Sequence, residues 1–238
     1  MSSEDFRIVE PAARLEGTVV VPGDKSISHR AAMLAGLAGG ESIIEGFLVS
    51  EDCLNTLHAV ELLGARVMRE GSNVKVGGTG GFFKAAPREL DMVNSCTGIR
   101  LLAGLLAGHR FISQMTGDAS LRSRPMKRIR EPLERLGAEV ELLGPNGCAP
   151  VRIRGGGLRG IWYKLPMASA QVKSCVLLAG LFAEGRTSVI EPRPTRDHTE
   201  RIFRRMGIQV EVDGSMISVS GDPETGPRIQ PARRSMPQ

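Results

Sequence analysis

Leu34-Ala35-Gly36-Leu37 recurs as Leu102-Ala103-Gly104-Leu105 and again as Leu178-Ala179-Gly180-Leu181. The copies are spaced by roughly 70 residues, longer than the period of common solenoid repeats. The sequel to each copy recurs too. A short strand comes next (Ser42 to Glu45, Arg110 to Thr116, Thr187 to Glu191), then a polar stretch and an amphipathic helix over residues 51–63, 125–136 and 197–206. Each of these helices is expected to stop at a glycine, Gly64, Gly137 or Gly207, where a left-handed backbone closes a helix. A hairpin should come after each stop: Ala65-Arg66-Val67 with Val74-Lys75-Val76, Ala138-Glu139-Val140 with Val151-Arg152-Ile153, and Ile208-Gln209-Val210 with Ile217-Ser218-Val219. The turns Gly71-Ser72-Asn73, Pro145-Asn146-Gly147 and Asp213-Gly214 carry the residues that tight hairpins favour. With a strand ahead of the first apolar helix, Thr18 to Val21 in the first copy, each unit reads strand, helix, strand, helix, strand, strand.

The helix carrying the repeated word is apolar nearly all round, as in Leu101-Leu102-Ala103-Gly104-Leu105-Leu106-Ala107, so it should be buried on every side. The second helix shows a charged face, Lys127, Arg128, Arg130, Glu134 and Arg135, and should be less covered. The expected fold is α/β (α+β): three βαβαββ units, about 18–87, 88–157 and 158–222, around a pseudo-threefold axis, with buried helices inside and sheets outside. Equivalent helix N-termini would then meet at one end. Aligned on the repeated word, Lys25-Ser26 corresponds to Val93-Asn94 and to Ser169-Ala170.

Pro22-Gly23-Asp24-Lys25-Ser26-Ile27-Ser28-His29-Arg30 opens the first apolar helix. A helix N-terminus offers unpaired N–H groups and partial positive charge, which suits an anion. Cations in a first turn oppose the macrodipole, so Lys25 and Arg30 point to a phosphate or carboxylate ligand; the bland alternative is a capped helix start with solvated cations. The starts of the second helices add Arg122, Arg124 and Arg196. Lys25, Arg30, Arg124 and Arg196 would thus collect at one rim, Arg able to fork an oxyanion and Lys acting as a point charge.

Composition narrows the class. At 238 residues, 41% hydrophobic and 24% charged, the chain is ordinary globular material rather than a disordered one. Aromatic content of 4%, with one Trp and one Tyr, argues against modules that stack bases on aromatic rings, so no nucleic-acid partner is expected. The net charge of +5 fits an anionic partner without naming it. Cys53, Cys96, Cys148 and Cys175 lack metal or disulfide spacing and read as reduced thiols. The start Met1-Ser2-Ser3-Glu4-Asp5-Phe6 lacks a signal-peptide pattern and no apolar run is long enough for a bilayer, so a cytoplasmic protein without a membrane partner is expected.

Five stretches, the Pro22 to Arg30 motif, Asn94-Ser95-Cys96-Thr97-Gly98-Ile99-Arg100, Leu121-Arg122-Ser123-Arg124-Pro125-Met126, Ala168-Ser169-Ala170-Gln171-Val172-Lys173-Ser174 and Thr195-Arg196-Asp197-His198-Thr199-Glu200, occur in one order. With them the sequence resembles the 5-enolpyruvylshikimate-3-phosphate (EPSP) synthase family from about residue 8 to about 221. The resemblance implies transfer of the enolpyruvyl group of phosphoenolpyruvate to the 5-hydroxyl of shikimate 3-phosphate, in the shikimate pathway, with no metal or organic cofactor. It implies that Lys25 serves both substrates and is catalytic. Ser26, Arg30, Ser169, Gln171 and Arg196 would contact shikimate 3-phosphate. Asn94, Cys96, Thr97, Arg124 and Gln171 would line the phosphoenolpyruvate pocket.

Two departures from that family carry expectations. Val93 and Cys96 stand where the family usually has smaller residues, so they either are tolerated packing changes or crowd the inhibitor glyphosate more than phosphoenolpyruvate, giving glyphosate insensitivity. The family also has two such three-unit domains and this chain carries one, over 18–222. Residues 1–17 would pack on the second domain, which also supplies the carboxylates for proton transfer. Residues 223–238 are Pro- and Arg-rich and are expected to be a disordered tail. The chain would bind shikimate 3-phosphate, with weak or no turnover alone, and self-associate or pair with a separate C-terminal domain.

Overall fold

In the computed structural model, which describes residues 10–232, three runs of elements succeed one another along the chain. The first comprises α1 (Lys25–Leu37), β1 (Glu41–Ile44), α2 (Glu51–Leu62), β2 (Arg66–Glu70) and β3 (Asn73–Gly77). The second comprises β4 (Leu90–Asp91), α3 (Cys96–Ala107), β5 (Ile112–Thr116), α4 (Ala119–Arg122), α5 (Lys127–Leu136), β6 (Glu139–Leu142) and β7 (Val151–Arg154). The third comprises β8 (Trp162–Lys164), α6 (Ala170–Gly180), β9 (Gly185–Ile190), α7 (His198–Arg205), β10 (Glu211–Asp213) and β11 (Met216–Gly221).

Each run builds its own sheet. The second and third share one topology, β4-β5-β7-β6 and β8-β9-β11-β10, in which the first strand lies parallel to its neighbour and the other pairs are antiparallel. The first sheet, β1-β3-β2, lacks that leading strand. Thr18 to Val21, expected to supply it, form no regular element, and Val19, Val20 and Val21 are 82%, 91% and 77% exposed. The vacant edge of β1 is taken from the other end of the chain. Gly39 N–H donates to Ile229 O (3.0 Å) and Ile43 N–H to Ala232 O (2.9 Å), so residues 229–232 run beside β1 in its own direction, with Ile229 and Ala232 buried. An open strand edge leaves N–H groups unpaired, and this segment satisfies them. The expectation of disorder from residue 223 is therefore corrected for 223–232; residues 233–238 and 1–9 lie outside the described residues.

The helices divide as their sequences predict. Every residue of α1 from Ser28 to Leu37 is buried, and α3 and α6 are buried over most of their length. The repeated word sits where α3 and α6 cross: a side chain on Gly104 would place its first carbon 2.3 Å from Cys175 O, so only glycine allows that approach. α2, α5 and α7 end at Gly64, Gly137 and Gly207, with φ of 104°, 113° and 74°. One closing bond recurs in all three, from Ala65 to Val60 O, from Ala138 to Leu133 O and from Ile208 to Phe203 O, the pattern of a Schellman cap. That bond corrects the hairpin starts: Ala65, Ala138 and Ile208 belong to the helix closures, so the strands that follow begin at Arg66, Glu139 and Glu211. α5 likewise starts at Lys127 rather than Pro125, after the separate turn of α4. Among the described residues no helix is long and apolar enough to cross a membrane, and the four cysteines are free thiols.

Candidate functional site

The three buried helices all open on a side-chain cap. Asp24 Oδ1 accepts from Ile27 N–H (2.8 Å), Ser95 Oγ from Gly98 N–H (2.9 Å) and Ser169 Oγ from Val172 N–H (3.3 Å). Each satisfies one donor that a helix start leaves unpaired. Relative to the repeated word, α3 opens about a turn later than α1, so Val93-Asn94 lie in the turn before the helix rather than on it. Val93 holds φ at 45°, with its N–H on Asp91 Oδ1 (2.8 Å) and its carbonyl accepting from Asp118 N–H (2.8 Å).

Three hydrogen bonds join these openings pairwise. His29 Nε2 meets Ser95 Oγ at 3.2 Å, linking α1 to α3. Gln171 Nε2 donates to Thr97 Oγ1 at 3.0 Å, linking α6 to α3. Arg30 Nη2 donates to Ser174 Oγ at 2.7 Å, linking α1 to α6. The N-terminal ends of three helices from three different units therefore meet at one pole. His29 is fully buried, and its pKa is lowered to about 4 by burial, with Lys25 and Arg30 pushing the same way against Asp52. It is neutral at pH 7, and its Nδ1 is bonded to Thr56 Oγ1 (2.7 Å).

Arg30 is 4% exposed and bonds inward through three of its five N–H groups, to Thr199 Oγ1 (2.7 Å), Ser26 O (2.9 Å) and Ser174 Oγ. Burial lowers its pKa to about 10, opposed chiefly by Glu200, so it stays cationic at neutral pH. Expected as a ligand contact, Arg30 is also a clamp between α1, α6 and α7. Lys25 pairs with Asp52 in the first turn of α2 and remains half exposed. Arg100, to which the sequence assigns no role, donates to Gln171 Oε1 and to Pro125 O (3.0 Å), next to Arg124. Its pKa is lowered by burial first and then, among the nearby charges, by Arg128 and Arg124. Arg196 acts on Arg30 in the same sense.

Of the residues expected at the site, Ser26 with Arg30 and Thr97 with Gln171 are in direct contact, and Arg100 ties Gln171 to the segment carrying Arg124. Lys25, Asn94, Ser169 and Arg196 make no side-chain hydrogen bond to another residue of that set among the described residues. Asn94, Arg124 and Arg196 are exposed, Cys96 is the half-buried first residue of α3, and Ser169 is occupied as the α6 cap. Sequence reasoning also missed Asp52, Ser174 and Thr199, and the buried trio Lys173, Glu191 and Glu200. A lysine inside an otherwise apolar helix was the available signal, because buried lysines are nearly always paired. Chemically, the pole offers fixed cations and helix N-termini to a compact polyanion, an arrangement that can hold a phosphate and a carboxylate at once.

Comparison with known proteins gives the chain a family and matches its fold. A family model described as EPSP synthase (3-phosphoshikimate 1-carboxyvinyltransferase) matches residues 9–232. A 3-phosphoshikimate 1-carboxyvinyltransferase of Akkermansia muciniphila is 54% identical over 215 residues, covering 87% of this chain and 49% of the relative. One from Methylococcus capsulatus is 47% identical over 232 residues, covering 95% of this chain and 52% of the relative. The solved EPSP synthase of Acinetobacter baumannii superposes with a TM-score of 0.86 at 48% identity, over 91% of this chain and 48% of that one. The chain spans about half the length of the relatives it matches.

Proposed function

The chain belongs to the EPSP synthase (3-phosphoshikimate 1-carboxyvinyltransferase) family, and on that premise we propose that its cationic pole binds shikimate 3-phosphate and forms one half of an enolpyruvyl-transfer site. Members of this family are transferases that use shikimate 3-phosphate and phosphoenolpyruvate. The observation that supports the reading is the set of three pairwise hydrogen bonds, His29–Ser95, Thr97–Gln171 and Arg30–Ser174, that joins the N-terminal ends of three helices, the first opening at Lys25 and the second carrying Arg100.

In this reading Ser26, Arg30, Ser169, Gln171 and Arg196 serve the sugar-acid phosphate, while Asn94, Cys96, Thr97, Arg124 and Gln171 serve phosphoenolpyruvate, with Lys25 between them. Protonation of the methylene carbon of phosphoenolpyruvate gives an oxocarbenium-like centre, the substrate hydroxyl adds to it as it loses its proton, and phosphate then leaves as the new methyl group gives up a proton to restore the vinyl double bond. Cations fixed before the reaction stabilise the carboxylate and the departing phosphate throughout. The proton-transfer carboxylates belong to the second domain in the family resemblance. Losing general acid–base groups costs about 10²- to 10⁴-fold, so turnover by this chain alone is weak and rises when a C-terminal half is supplied. Cys96 at the first position of α3, with Val93 just before it, narrows the phosphoenolpyruvate pocket and makes the site glyphosate-insensitive. The reading goes with a cytoplasmic protein that needs no metal or organic cofactor.

Phosphate release from the two substrates, measured with the chain alone and with the C-terminal half of a relative added, tests the proposal. Rescue by the added half, abolished by Lys25→Ala, is the expected result. Absence of both shikimate 3-phosphate binding and rescue contradicts it.

A further inference from the structure

Lys173, the fourth residue of α6, is 1% exposed, and its ammonium meets Glu191 Oε2 at 3.0 Å and Glu200 Oε1 at 2.6 Å. Both carboxylates are buried as well, at 7% and 3%. Burying three charges is costly unless they are mutually satisfied, and removing one partner of a buried ion pair leaves an uncompensated charge. What this trio joins is specific. Glu191 follows the end of β9, and its other oxygen accepts from the hydroxyl of Thr195, in the strap that leads through Arg196 to α7. Glu200 stands next to Thr199, the hydroxyl that receives Arg30 Nε and also meets Ser174 Oγ at 2.7 Å. Glu200 Oε2 is buried without a hydrogen-bond partner among the described residues, and its charge is the largest influence holding Arg30 cationic. Lys173 thus meets Glu191 and Glu200 directly, and the charge of Glu200 also acts on Arg30.

We propose that Lys173 is a positioning residue: through Glu191 and Thr195 it fixes the strap carrying Arg196, and through Glu200 it sets α7 against Arg30. One buried ammonium thereby fixes two arginines from different units relative to each other. The inference rests on the proposed function only for what those arginines hold. Without the trio, the exposed strap from Pro192 to Asp197 would keep few anchors, because of its own residues only Thr195 makes a side-chain hydrogen bond among those described.

Lys173→Met would strand two buried carboxylates and endanger folding, so Thr195→Val and Glu191→Gln are the informative variants, with Thr195→Ser as the conservative control. Backbone ¹⁵N order parameters for Arg193 and for Thr195 to Asp197, the strap residues that carry an amide N–H, and calorimetric titration with shikimate 3-phosphate are the two measurements. Rigid values of about 0.85 are expected in the wild type and about 0.6 or less in Thr195→Val and Glu191→Gln, confined to the strap. Affinity for shikimate 3-phosphate should fall about tenfold in both variants, the loss of one positioned charge contact, and Thr195→Ser should restore both readouts. Unchanged strap order in both variants, or a loss spread evenly over the whole third unit, overturns the positioning role. If the wild type fails to bind shikimate 3-phosphate, the proposed function falls while the order parameters still decide the role of Lys173. If the strap loosens and affinity holds, the claim that the trio positions Arg196 for the ligand is overturned.

Discussion

Gln171 donates its amide N–H to the hydroxyl of Thr97 across 3.0 Å while its carbonyl oxygen accepts from Arg100, so one side chain on α6 fixes two residues of α3. Gln171→Leu keeps the volume and removes both bonds, leaving the half-buried Arg100 guanidinium short of an acceptor. The expected loss is about 1–3 kcal/mol in urea denaturation, the cost of a partly buried polar group stripped of its partner. A change near zero would show that the α3–α6 opening is held by apolar packing alone.

Val93 sets a β-branched residue at φ 45°, where glycine is at home. That conformation costs about 1–3 kcal/mol, while glycine loses about 0.5–1 kcal/mol in extra chain entropy. Val93→Gly is therefore expected to stabilise by about 1 kcal/mol, a rise in Tm of about 2–4 °C for a domain of this size. A lower Tm would mean that the packing of the valine side chain outweighs its backbone strain.

Two apolar segments compete in sequence for the edge of β1, and the structure seats 229–232 there while leaving Val19, Val20 and Val21 exposed. Ile229→Ala should cost about 2 kcal/mol or more, as large-to-small core changes do. Val20→Ala, at a 91% exposed site, should stay within about 0.5 kcal/mol. Equal effects from the two substitutions would contradict this strand assignment.

Much of the fold is legible in the sequence because its signals are local. The repeated Leu-Ala-Gly-Leu helices, the glycine stops and the hairpin turns each depend on neighbours within a few residues. The exchange at β1 is not local: Val19-Val20-Val21 has the stronger strand composition, and only the arrival of a segment some two hundred residues away decides the edge. Pro and Arg around Ile229 also hide the alternation that would mark a buried edge. At the site, cations at helix starts announce themselves through their conflict with the macrodipole. The partners of Arg30, namely Ser174 and Thr199, and those of Lys173, namely Glu191 and Glu200, lie on other elements and carry no spacing signal.

Acid should destabilise the fold through two buried histidines. His109 accepts from Phe83 N–H at Nε2 (2.8 Å), bonds Leu105 O through Nδ1 (2.8 Å) and stacks on Phe83, and burial lowers its pKa to about 4, as for His29. Between pH 6.5 and 4 the unfolded chain binds these protons and the folded one does not, so stability falls as pH falls through that window and is unaffected by these groups above it. Each histidine contributes on the order of 3 kcal/mol across the window. Urea midpoints at pH 7, 5.5 and 4.5 should decline in turn, with a shallower decline in His109→Gln, provided that variant folds at pH 7. A flat profile would mean that the rings are protonated in place.

The most direct test of the cationic pole is calorimetric titration of the purified chain with shikimate 3-phosphate, alongside Lys25→Ala and Arg124→Ala. Saturable one-to-one binding, weakened about tenfold or more by Lys25→Ala and less by Arg124→Ala, is the predicted result, since a charge-assisted contact to a phosphate contributes about 1.5–3 kcal/mol. Binding that is absent in the wild type, or equal in wild type and Lys25→Ala, would contradict the account.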